Sequence, residues 1–206
     1  VPKIVDHRER RRSIATAACA TVAEVGLERT TLAAVARRCA LTTGAIAHYF
    51  PNKDALLDAA LRESYRRQIE RMDARVTDGA SLETVMLESL PGSAESRELM
   101  QVWLAFWGRA IGDVATARAQ RRVHALWLKR VTREIERAVA SGRLPAAIDT
   151  SEEAEALIAQ VRGLCIRALF EPANWPATRL AACLARYLDR VVVSADAASL
   201  PGRRRA

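Results

Sequence analysis

Apolar positions recur at three- and four-residue spacing along nearly the whole chain, separated by short stretches rich in Gly, Pro, Ser and Asp. That period belongs to helices that bury one face. It predicts helices over roughly 8–25, 32–39, 43–49, 53–78, 82–90, 94–111, 114–141, 151–170 and 177–195. Gly26, Gly79, Pro91-Gly92, Gly112, Gly142, Pro145, Pro172 and Pro176 fall between them, where helix breakers belong. Thr31, Thr42, Asn52, Ser81, Ser93, Asp113 and Thr150 stand where N-caps are expected, and Thr150 with Glu153 fits a capping box. Val191-Val192-Val193 is the one β-branched triplet, and it lies inside a helical pattern. The chain reads as all-α, with about nine helices.

Composition narrows the class. With 206 residues, 50% of them hydrophobic and 27% charged, the chain has material for one large folded domain or two small ones. No uncharged apolar run approaches the ~18 residues of a membrane span. Leu99 to Phe106 comes nearest and is closed by Glu98 and Arg109. Val1-Pro2-Lys3 does not open the apolar stretch of a signal peptide. Cys19, Cys39, Cys165 and Cys183 lie far apart inside apolar patterns, which reads as buried reduced thiols in a cytoplasmic protein. His7, His48 and His124 are scattered, and neither a zinc-helix motif, a nucleophile elbow nor a glycine-rich phosphate loop is present. The expectation is no catalytic residue, no metal and no cofactor.

Charge is uneven. The net charge is +8, and only three of the 32 cations are lysines (Lys3, Lys53, Lys129). Arginine's planar fork suits phosphate and carboxylate. Residues 1–50 carry a net +4, the tail Arg203-Arg204-Arg205 adds +3, and the rest is nearly neutral. A basic module therefore precedes a near-neutral body. Basic surface alone is usually only solvated, so a motif must decide whether it binds.

Residues 30–57, TTLAAVARRCALTTGAIAHYFPNKDALL, supply that motif. They describe a short helix, a tight turn and a second short helix ended by Phe50-Pro51. Leu32, Val35 and Ala36 form an inner face, Leu41 plugs the turn, and Ile46, Tyr49 and Phe50 close the core. Two short helices crossing in this way form a helix-turn-helix, whose second helix enters the major groove of DNA. Its outer face is small: Thr42, Thr43, Gly44, Ala45, Ala47 and His48. Such a face lets the backbone approach DNA closely.

The stretch resembles the DNA-binding domain of the TetR family over residues ~8–57, through Gly26, Thr31, Ala36, Gly44, His48-Tyr49-Phe50 and Lys53. The resemblance implies that Thr42, Thr43, Gly44 and His48 face base edges. It also implies that Thr31, Tyr49 and Lys53 hold phosphates, with Arg8 to Arg12 near the backbone, Arg8 and Arg12 among them. The chain departs from the family at Ala40, where glycine is usual. A non-glycine residue in the left-handed turn costs about 1–2 kcal/mol. The family also implies an organisation: a DNA-binding domain over 1–52, a helical effector-binding and dimerisation domain over 53–200, and a basic tail over 201–206.

In the body, Trp103, Phe106 and Trp107 share one helix face, and Trp127 lies downstream. The stripe is either ordinary core or the wall of a ligand site; aromatic faces hold quaternary ammonium groups. Val102 to Trp107, with Gly163 to Leu169, resembles the BetI branch of the family, which represses choline-to-betaine genes. The branch often has Trp where this chain has Cys165, which removes one wall of a cation cage. The implied effector site is Trp103, Phe106, Trp107, Trp127 and Cys165. Leu157, Val161, Leu164 and Ala168, and then Leu180, Leu184, Tyr187 and Leu188, form two apolar stripes. These either pack within the chain or, as in the family, build a two-fold dimer. The expectation is therefore a repressor that binds double-stranded operator DNA as a homodimer and answers to a small molecule. The competing expectation is a DNA-binding regulator with no working pocket, constitutive or partnered by another protein.

Overall fold

The computed structural model describes residues 7–199, with side chains described to 192. Its helices are α1 (His7–Arg29), α2 (Leu32–Arg38), α3 (Thr43–Tyr49), α4 (Lys53–Thr77), α5 (Leu82–Leu87), α6 (Ala94–Gly112), α7 (Val114–Ala140), α8 (Thr150–Phe170) and α9 (Ala177–Ser199). No strand occurs among the described residues. The basic tail over 201–206 and Lys3 lie outside them.

The helix starts expected from the sequence are capped as their side chains suggest, with one exception. Thr31, Thr42, Ser81 and Ser93 each accept a bond from the amide three residues on. Asn52 and Asp113 do the same for Ala55 and Thr116. The exception is α8. Asp149 caps it, accepting from Ser151 and Glu152, and Thr150 is the first helical residue instead. A carboxylate at that position outcompetes the neighbouring hydroxyl because it suits the positive end of the helix. Regular helix stops in α1 at Gly26 (φ 78°, ψ 169°), and one more turn runs to Arg29. The fifth helix is shorter than predicted, ending at Leu87 before a turn through Ser89 and Leu90.

The chain divides into two compact units. The first runs to Glu70 and takes in Ser93–Val123; the second holds Arg71–Gly92 and the chain from His124 onward. In the first, α1 packs on α2 and α6, and α2 on α3. Ile14, Ala18, Cys19, Val35, Ile46, Phe50, Leu56 and Leu61 form its buried centre. In the second, α9 packs on α5 and α8, over Met72, Val85, Met86, Val131, Ile135, Leu157, Ile158 and Leu184.

Two sequence expectations are corrected by burial. Cys39 and Cys183 are only half-buried, while Cys19 and Cys165 are buried; all four are free thiols. Leu32, Leu41 and Tyr49 are half-buried, and Val35, Ala36, Ile46 and Phe50 are the fully buried members of the motif's expected core. No helix among the described residues is long and apolar enough to cross a membrane.

Candidate functional site

The turn between α2 and α3 sets the outward face of α3. Ala40 sits at φ 53°, the left-handed conformation that its sequence position required. Leu41 N–H donates to the Ala36 carbonyl (2.9 Å) and Ala40 N–H to that of Arg37 (3.2 Å). This is the doubled bond pattern that ends a helix around a left-handed residue. Thr42 then starts α3 by accepting from Ala45 N–H at 3.1 Å. Ile46 and Phe50, both fully buried, pin the inner side of the helix. Thr42, Thr43, Gly44, Ala47 and His48 are left exposed. A Cβ built on Gly44 meets only Thr42 Oγ1, at 3.9 Å. The fold itself therefore does not require glycine there.

Other candidates for DNA contact divide by the side of α1 they occupy. Arg11 donates to the Tyr49 carbonyl and lies over the Phe50 ring at 4.2 Å, so it fastens the end of α3. Arg12 points instead to α4, 3.2 Å from Glu70 and 3.8 Å from Glu63. Glu63 is buried and takes a bond from the Thr16 hydroxyl at 3.0 Å and from Arg66. This network locks α1 to α4. Lys53 Nζ donates to the Glu28 carbonyl at 2.7 Å. Thr31 uses one lone pair for Ala34 N–H at 3.1 Å, which leaves its hydroxyl proton for another acceptor. Arg8 is exposed at the start of α1.

The first unit also holds three of the five expected effector residues. Trp103 and Phe106 are buried and Trp107 is half-buried. Trp103 stacks on Tyr65 with centroids 6.2 Å apart, and its indole N–H donates to Ser64 Oγ at 3.2 Å. Ser64, Tyr65 and Gln68 of α4 are all buried. Sequence reasoning missed these three. Their signal was present, since they continue the core-facing series of Leu57, Ala60 and Leu61 with polar groups. On its other side Phe106 helps line a cleft of about 250 Å³ with Asp54, Asp58, Asp113, Arg109 and Arg122. Arg109 is paired with Asp54 at 2.9 Å.

The other two expected effector residues, Trp127 and Cys165, are buried in the second unit. Cys165 donates its thiol to the Ser89 carbonyl at 3.2 Å, and burial pushes that thiol up to about 12. His124 lies between Arg162 (Nδ1, 2.8 Å) and Glu155 (Nε2, 3.5 Å). Of the residues expected at a dimer face, Leu157, Val161, Leu164, Ala168, Leu180 and Leu184 are already buried within the single chain. Tyr187 and Leu188 are half-buried. The Tyr187 hydroxyl is raised above its usual range by burial and by its bond to Glu153. The outward side of α8 carries Ala156, Ala159, Gly163 and Phe170.

An all-α chain that presents a short, small-faced helix from a capped helix-turn-helix is a DNA-binding regulator of transcription. Comparison with known proteins agrees. The profile of bacterial regulatory proteins of the tetR family matches residues 14–60, and that of the BetI-type transcriptional repressor C-terminal domain matches 79–193. The HTH-type transcriptional regulator BetI of Burkholderia cenocepacia is 33% identical over 205 residues, covering 94% of this chain and 100% of the relative. That of Burkholderia ambifaria is 34% identical over 162 residues, covering 72% and 83%. A transcriptional regulator from Saccharomonospora viridis, solved in complex with choline, shares the fold with a TM-score of 0.75 at 21% identity, covering 88% of this chain and 96% of that one. A TetR-family regulator from Rhodococcus superposes with a TM-score of 0.79 at 23% identity, covering 90% and 99%. The chain belongs to the TetR family of transcriptional regulators, in its BetI-like branch, and is not an enzyme.

Proposed function

We propose that the protein is a repressor that binds a palindromic operator as a homodimer and is released from it by a small organic cation. The observation that carries DNA recognition is the outer face of α3, where Thr42, Thr43, Gly44 and His48 are exposed while Ile46 and Phe50 hold the helix down. One such helix reads few base pairs, so two copies spaced a helical turn apart, about 34–36 Å, supply specificity. Thr31, Tyr49, Lys53 and Arg8 act on phosphates. Arg12, bound to Glu63 and Glu70, serves the packing of α1 on α4.

For the effector, the Tyr65–Trp103 stack lies in the same unit; in the cleft that Arg109 and Arg122 also line, Phe106 supplies an aromatic face and Asp54, Asp58 and Asp113 supply negative charge, Asp54 already paired with Arg109. That pairing suits a quaternary ammonium group, and the choline bound by the Saccharomonospora relative belongs to this class. Trp107 completes the proposed set in this unit; Trp127 and Cys165, the other two expected effector residues, belong to the second unit and are not drawn into it. Coupling runs along α4, which carries Ser64, Tyr65 and Gln68 and begins at Lys53, without glycine or proline between. The second reading is a regulator with no working pocket, supported by the Trp103 indole already satisfied by Ser64.

Choline titration separates the two. Quenched tryptophan fluorescence together with weaker binding to an operator selected from random DNA supports the effector. No thermal shift and no change in DNA binding at millimolar choline leaves the second reading. By linkage, a ligand at 100 times its Kd stabilises by about 2.7 kcal/mol.

A further inference from the structure

His7 opens α1 and has no place among the interactions assembled so far. Its ring nevertheless packs on the recognition helix. The His7 centroid lies 4.7 Å from that of Tyr49, tilted by 36°. It lies 6.1 Å from that of His48, edge-on at 78°. His48 and Tyr49 are themselves 5.4 Å apart at 84°. His7 and His48 are exposed and Tyr49 is half-buried. Arg11, one turn along α1 on the same side as His7, holds the arrangement in place through the Tyr49 carbonyl and the Phe50 ring. The first turn of α1 thus brings an imidazole to the end of α3 that carries His48.

We propose that His7 is a DNA-contacting residue, forming with His48 and Tyr49 one seat for a backbone phosphate. This rests on the reading of the outer face of α3 as the surface that meets DNA. Two imidazoles and a phenol supply N–H and O–H donors from three directions, and imidazole is the side chain that changes charge between pH 5 and 8. Two imidazolium groups this close repel one another, and an anion seated between them offsets the repulsion. The surrounding charges favour an anion. Along α1 they are Arg8, Arg10 and Arg11, with Glu9 on the opposite side of the helix. On α3, His48 is the one basic side chain. On α2, Arg38 is held by Glu24 at 2.6 Å, and on α4, Lys53 is held by the Glu28 carbonyl.

The sign follows from linkage. A seated phosphate favours the protonated form of an imidazole beside it, so phosphate binding and proton uptake reinforce one another. Affinity rises as pH falls through the histidine range and is lost as pH rises through it.

The test measures binding of a selected operator and of a non-specific duplex near pH 6 and pH 8 at fixed ionic strength, by fluorescence anisotropy. The wild-type protein, His7→Ala, His7→Gln and Thr43→Ala are compared. The wild type is expected to bind several-fold tighter near pH 6. His7→Ala and His7→Gln lose about half of that pH dependence and weaken both duplexes alike. Each reduces the salt slope by about one phosphate. Wild-type affinity, salt slope and pH profile in both His7 variants overturn the proposal. If Thr43→Ala at the same time shifts sequence preference, the reading of α3 stands and only the role of His7 falls. If Thr43→Ala is also silent, the DNA-facing surface itself is misassigned.

Discussion

Lys53 Nζ donates to the main-chain carbonyl of Glu28 across 2.7 Å, joining the first residue of α4 to the last turn of α1. One side chain at the start of α4 therefore ties that helix to α1. With the phosphate contact proposed for it, the residue combines two functions that a substitution separates poorly but measurement separates well. Lys53→Ala is expected to lower stability by about 1 kcal/mol, the worth of one such bond. It is also expected to weaken binding to operator and scrambled DNA equally, because phosphates carry no base information. Melting curves and paired titrations check the two effects.

Ala40 occupies a left-handed conformation at φ 53°. Ala40→Gly removes the Cβ clash there and is expected to stabilise the protein by about 1 kcal/mol. For a chain of this size that raises Tm by about 2–4 °C. An unchanged or lower Tm contradicts the account of the turn.

Gly44 has room for a methyl group, with its nearest neighbour 3.9 Å away. Gly44→Ala is therefore expected to leave folding intact, or to improve it by up to about 1 kcal/mol through helix propensity. Operator binding is expected to fall, since the added methyl stands on the face proposed to meet DNA. Thr43→Ala instead shifts sequence preference, by about 1–3 kcal/mol for the base edge no longer read. Circular dichroism with selection from random DNA tests both.

Gly163 and Leu164 are neighbours on α8 with opposite surroundings: a Cβ on Gly163 meets nothing, whereas Leu164 is buried. Gly163→Glu is expected to produce a folded monomer at micromolar concentration in sedimentation, since it burdens only the face proposed to meet a second copy. Leu164→Glu is expected to unfold the chain by burying an unpaired charge. A Gly163→Glu protein that remains dimeric moves the interface away from this side of α8.

Burial pushes the Cys19 and Cys165 thiols up to about 12, from 9.0. Iodoacetamide at pH 8 is expected to modify only Cys39 and Cys183 in the native protein, and all four after denaturation. Linkage adds a pH effect. The unfolded thiols ionise near 9.0 while the folded ones stay protonated, so stability is complete below that pH and declines as pH rises toward about 12. A denaturation series between pH 8 and 11 reads the slope.

Much of this architecture is local, and local features are legible in a sequence. The three-to-four spacing of Leu157, Val161, Leu164 and Ala168 calls for a helix wherever the helix ends up. Thr31, Thr42 and Ser93 announce helix starts because a hydroxyl reaches its own backbone within three residues. The strained turn at Ala40 is determined in the same way, whereas the pattern that marks Ile46, Tyr49 and Phe50 as core does not show that Tyr49 stays half-buried. Even so, adjacency can mislead: Thr150 and Asp149 compete for one cap, and the spacing alone favours the wrong one.

What the fold decided concerns partners far apart in the chain. No spacing rule distinguishes Arg11, turned to Tyr49, from Arg12, turned to Glu63 and Glu70, although the two are sequence neighbours. A single step of about 100° around α1 sends them to different helices. An apolar stripe likewise reports only that it is buried, and packing placed Leu157 and Leu184 inside their own chain. Ser64 and Gln68 read as polar interruptions of an apolar series until α6 sets Trp103 against Ser64. The meeting of His7 with His48 and Tyr49 places the first residue of α1 against the end of α3, an encounter between residues some forty positions apart that only tertiary packing creates.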